Sequence, residues 1–140
     1  MVVLVLYCLT AGSASPHNEH VLQAMAFWGG HCYITTPIHE MVQYGGHWYT
    51  LHPPGSAVLM MPFVAIWGMD ANQTLVCVLL GAIEVALAWR LLGLLGLDDK
   101  ARIWLTVFFG AGTTLWYEAT LGASWDFALV ASMLWTLLAR

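Results

Sequence analysis

The chain is 140 residues long, 60% hydrophobic and 9% charged, with a mean hydropathy of +0.73. A soluble domain keeps about a quarter of its residues charged, so an ordinary soluble domain is excluded and lipid is part of the solvent. A net charge of −4 argues against nucleic acid as a partner, and Cys8, Cys32 and Cys77 lack the CxxC spacing of a structural zinc or disulfide framework.

In chain order, the first apolar run covers residues 1–12. As a helix it measures only about 18 Å, short of the roughly 30 Å of a bilayer core. It reads as a clipped first crossing or as a signal peptide. Ala11-Gly-Ser-Ala-Ser15 is similar to a small-residue cleavage site, but no basic residue precedes the run, which favours the clipped helix.

An outer loop over 13–69 follows, with two juxtamembrane helices of its own. Ser15 and Pro16 predict a helix start near 16, and Gly29-Gly30 predict its end near 28. On that helix Val21, Leu22, Met25 and Trp28 form an apolar stripe, while His17, Glu19 and His20 lie on the other side. After Thr35-Thr36-Pro37, a polar aromatic piece runs through Tyr44-Gly-Gly-His-Trp-Tyr49 to the diproline Pro53-Pro54. Proline suits an extended entry and a first helical turn, so a second helix is expected over 55–67. Its apolar run also reaches only about 18 Å, which makes it interfacial and not a crossing.

Three more crossings are expected, over 70–97, 101–121 and 124–138. Asp70 with Gln73 suggests a capping box for the first, and Asp98 or Asp99 an N-cap for the second. Glu118 and Asp126 then fall at the outer turn between the last two. Lys and Arg occur only at Arg90, Lys100, Arg102 and Arg140, whereas all six histidines lie before residue 56. The positive-inside rule puts the 90–102 bend in the cytoplasm and residues 13–69 outside. The expected fold class is all-α: one multi-pass membrane domain of about four crossings, in a plasma membrane such as a bacterial inner membrane.

Four pieces carry a family resemblance. Asn18-Glu19-His20 opens a first-loop helix ending in Gly-Gly. Gly45-Gly-His-Trp-Tyr-Thr-Leu-His-Pro-Pro-Gly55 resembles a GxxYxxxPPG element. Gly81-Ala-Ile-Glu-Val-Ala-Leu-Ala-Trp-Arg-Leu-Leu92 is similar to the helix that follows. Phe109-Gly-Ala-Gly-Thr-Thr-Leu-Trp-Tyr117, with Trp125-Asp126 after it, is similar to a GT.lW segment and its acidic turn. In this order they resemble the N-terminal portion of the GT-C superfamily of polyprenyl-phosphate-dependent glycosyltransferases, such as bacterial mannosyl- and aminoarabinosyl-transferases. The resemblance implies transfer of a sugar from a polyprenyl-phosphate donor to an acceptor at the outer membrane face. It also implies a longer protein whose remaining helices complete the site. Asn18 stands where the family has an Asp, so the base falls to Glu19, with Asp126 as the second acid. Asn18, Tyr49 and His52 would bind substrate.

Each candidate has a plainer reading. Glu19 and Asp126 are also acids in a first helical turn, where the dipole favours them. His52 is equally a neutral loop imidazole. Glu84, in the middle of the 70–97 helix, is expected to be buried against a neighbour. A competing function is metal binding by the outer loop. His17 and His20 have i, i+3 spacing with Glu19, His31, Cys32 and His39 nearby, which leaves a divalent metal as the one cofactor in question. A third reading is a helix-packing scaffold, using Ala82-xxx-Ala86 and Gly110-xxx-Thr114.

Overall fold

A computed structural model describes residues 2–16, 18–38 and 40–139, and among these the chain is mainly helical. The elements are α1 (Val2–Thr10), α2 (Glu19–Trp28), a hairpin of β1 (Met41–Tyr44) and β2 (His47–Thr50), α3 (Pro54–Trp67), α4 (Gln73–Leu94), α5 (Asp99–Ala111), α6 (Thr114–Leu121) and α7 (Ser124–Leu138). One 3₁₀ turn, Gly68–Asp70, joins α3 to α4.

The 22-residue α4 is the hub and packs against α1, α5, α6 and α7. Close approach requires a missing side chain in two places. A Cβ on Gly81 would stand 2.7 Å from the Ala119 Cβ and 3.1 Å from the Tyr7 ring, and one on Gly110 would stand 2.9 Å from Val85. The Tyr7 hydroxyl donates to the Gly110 carbonyl at 2.5 Å, so α1 is tied to α5 through the seam. On the other side α2 lies along α3, which in turn packs on α7. Met60, Val64, Val21 and Ala24 join Phe127, Val130 and Leu134 in the same core.

Several expected boundaries move, each for a local reason. The helix expected over 101–121 is two helices. Gly112 closes α5, and extended Thr113 caps α6 by accepting from the Leu115 N–H at 3.3 Å. The capping box of Asp70 with Gln73 does not form. Asn72 caps α4 through its Oδ1 to the Leu75 N–H at 3.1 Å, and Gln73 donates instead to the Gly122 carbonyl at 3.0 Å. Of the two candidate caps before α5, Asp98 accepts from the Ala101 N–H.

The first-loop helix starts at Glu19 with Asn18 at its cap, not near 16, and the Ser15 N–H donates to the Thr74 hydroxyl of α4 at 3.2 Å. The piece between the loop helices is not simple loop. Met41 pairs with Thr50 and Tyr44 with His47 across Gly45-Gly46, both at positive φ as a two-residue hairpin turn of primed type demands. Ile34 bridges to Trp48 and holds the hairpin to the preceding segment.

Among the described residues, α4 is the one helix long and apolar enough to cross a membrane. The others expected to cross are shorter: nine residues for α1, 13 for α5 and 15 for α7. Large apolar side chains nevertheless remain on the outside. On α5 only Gly110 is buried, while Ile103, Trp104, Val107 and Phe108 are exposed.

Candidate functional site

Polar burial concentrates at one end of the bundle, where α1 and α6 finish and α4 and α7 begin. Glu19 and His20, the first two residues of α2, are only 1% and 0% exposed. A carboxylate in such a place needs a donor, and Ser124, the first residue of α7, donates its hydroxyl to Glu19 Oε2.

The protons on His20 follow from its neighbours. Nε2 lies 2.9 Å from the Ser124 carbonyl, which can only accept, so Nε2 carries a hydrogen. Burial lowers the imidazole's pKa to about 4 against the upward pull of that carbonyl and of Glu19, so the ring is neutral near pH 7. Nδ1 is therefore an acceptor, and the Ser56 hydroxyl 3.0 Å away donates to it. Ser56 sits one turn into α3, behind the diproline, and the Pro53 carbonyl, also 3.0 Å away, competes for the same hydroxyl proton.

His52 completes this layer. It is 3% exposed, its ring centroid 4.9 Å from that of His20 and 4.8 Å from Trp125 in an edge contact. Neither ring nitrogen makes a hydrogen bond among the described residues. The Glu40 carboxylate lies 3.6 Å from Nε2, an ion-pair distance too long for a hydrogen bond. Glu40 holds this place with φ at 58°, an uncommon conformation for a residue with a side chain.

Beside this sealed layer stands a more open acid pair. Asp126 and Glu118 are half-buried. A hydrogen bond to Asp126, helped by burial and by the repulsion of its charge, pushes the Glu118 carboxyl up to about 7. Glu118 thus keeps its proton up to the neutral range.

Of the residues singled out in the sequence, Glu19, His20 and His52 meet in one buried layer. Asp126 lies beside it, between Trp125 and Phe127, which touch the two histidines. Asn18 caps α2 by position without a side-chain capping bond, and lines a cavity on the far side of that helix. Tyr49 belongs to β2, opposite Val42, and no hydrogen bond or ring contact among the described residues ties it to the corner. His17 and His39 lie outside the described residues, so the His17–His20 spacing has no geometry to report. Among the described residues no group of three or more His, Cys, Asp or Glu is placed to hold a metal ion. Glu84 is fully buried in the middle of α4.

Ser56, Ser124, Trp125 and Glu40 are the members of this corner that the sequence alone does not assign a role. Only the small residue after Pro-Pro-Gly and the Ser-Trp-Asp start of α7 hint at them. No protein-family description, curated protein or solved structure matches the chain.

Proposed function

We propose that this chain is the membrane-embedded part of a glycosyltransferase that takes a sugar from a polyprenyl-phosphate donor at the outer face of a bacterial plasma membrane. In this reading α4 crosses the bilayer, and α1, α5 and α7 pack around it. The hairpin, α2, α3 and α6 lie at the outer surface. Exposed Trp28, Trp67, Trp116, Tyr117 and Trp125 suit the headgroup region there, and the bare apolar face of α5 suits lipid or further helices.

The observation that carries the reading is convergence. Glu19 and His52 of the first loop meet the Ser124-Trp125-Asp126 segment near the other end of the chain, Glu19 through a hydroxyl–carboxylate bond with Ser124 and His52 through an edge contact with Trp125. A polyprenyl phosphate keeps its tail in lipid and its sugar at the interface, so its reacting carbon arrives at this level. Glu19 is closed under Ser124 and keeps the corner in shape. The more open Glu118–Asp126 pair takes the acceptor's proton as phosphate leaves, since a carboxyl poised near 7 is suited to proton transfer at neutral pH.

Reconstituted protein, with any further helices of its gene, is to be given a sugar-labelled polyprenyl-phosphate donor. Transfer that falls at least a hundredfold in Asp126→Asn supports the assignment. Transfer unchanged in both Asp126→Asn and Glu118→Gln removes the pair from the site.

A further inference from the structure

On the opposite side of α2 from the histidine layer lies a cavity of about 570 Å³, within the range of small-molecule sites. Its apolar wall is Leu22, Met25, Ile34, Ile38 and Met69. Its polar groups are Asn18, Thr35 and Thr36, with His31 at one side.

Three features define what fits. Among the described residues no Asp, Glu, Lys or Arg lines the cavity, so a phosphate finds no permanent cation and an ammonium no carboxylate. The side chains of Asn18, Thr35 and Thr36 make no hydrogen bond among the described residues, and Asn18 is not spent on capping its helix. Donors and acceptors are therefore free on one side of a space whose other side is aliphatic. The aromatic wall is also fixed. Tyr33 is held between His31 and His47, at 4.4 and 4.0 Å between centroids, and His31 Nδ1 donates to the Tyr33 carbonyl at 2.7 Å.

We infer that this cavity binds an uncharged sugar ring, whose C–H face packs on the aliphatic wall while its hydroxyls meet Asn18, Thr35 and Thr36. Under the proposed function, on which only this last role rests, that ring belongs to the acceptor. Asn18 precedes Glu19 directly, so α2 alone separates the bound ring from the corner that holds Glu19.

The test uses the full chain in lipid nanodiscs without donor. Saturation-transfer NMR is read with methyl β-D-glucopyranoside, with its uronate and with its 2-amino counterpart. The neutral ring should give at least threefold the signal of either charged one. Its signal should vanish in Thr36→Trp, which fills the cavity from the exposed rim, and fall at least threefold in Asn18→Leu. No signal from the neutral ring, equal signals from all three probes, or a signal that survives Thr36→Trp in folded protein overturns the assignment. Binding without transfer would sink the transferase reading alone, and transfer without binding would sink the cavity assignment alone.

Discussion

Glu19 and Glu118 stand at the same end of the bundle, one opening α2 and the other one turn before α6 ends, and their surroundings differ in kind. Glu19 is sealed at 1% exposure and answered by a neutral donor, the Ser124 hydroxyl. Glu118 is half-buried and answered by another acid, so it holds its proton up to the neutral range. The contrast teaches that depth of burial alone does not mark a reactive carboxyl. A satisfied acid contributes to the fold, whereas one facing a like charge retains a proton it can exchange.

The sharpest way to break the comparison is to exchange the consequences. Asp126→Asn should lower sugar transfer by about 10² to 10⁴, the range typical of a lost acid–base group, with little change in the thermal midpoint. A large stability loss with activity kept would invert the two roles. Next comes acid. His20 has a folded value near 4 and an ordinary unfolded value near 6.5, so the unfolded chain binds more protons between them. Stability is fully present above about pH 6.5 and should drop by on the order of 3 kcal/mol as the pH falls to about 4.

Glu118 acts in the opposite sense, because its raised value makes stability fall as the pH rises from about 4.5 to about 7. Chemical denaturation across this range should therefore show a muted slope. Glu118→Gln should steepen the acid loss, and His20→Gln should abolish it.

Smaller effects sharpen the fold side. Ser124→Ala strips a donor from a buried carboxylate and should cost about 1.5–3 kcal/mol, read as a lower thermal midpoint, while the Glu118–Asp126 chemistry persists. Asn72→Ala removes only the cap of α4 and should cost about 1 kcal/mol. A loss larger than that of Ser124→Ala would mean that the corner is less critical than the helix start.

The sequence reveals part of this arrangement. The helices over 55–67 and 124–138 are legible because diproline, glycine and serine punctuate strong apolar runs. The break inside 101–121 is hidden, since Gly112-Thr113 interrupts the backbone without interrupting the hydropathy. The hairpin carries a local signal in Tyr44-Gly-Gly-His47 that only pairing partners make decisive. The corner itself is not local at all. Glu19 reads more readily as a dipole-favoured acid than as a base, and neither reading points to Ser124, more than a hundred residues on, which holds it. Ser56 likewise looks like a helix-start serine until His20 is placed beside it.

The most direct test of the two-acid account is the titration of Glu118 itself, followed by carboxyl ¹³C NMR of selectively labelled protein in nanodiscs. The account predicts a midpoint near 7 that returns toward the ordinary carboxylate range in Asp126→Asn. A midpoint near 4.5 in the wild type, unmoved by that substitution, would contradict it.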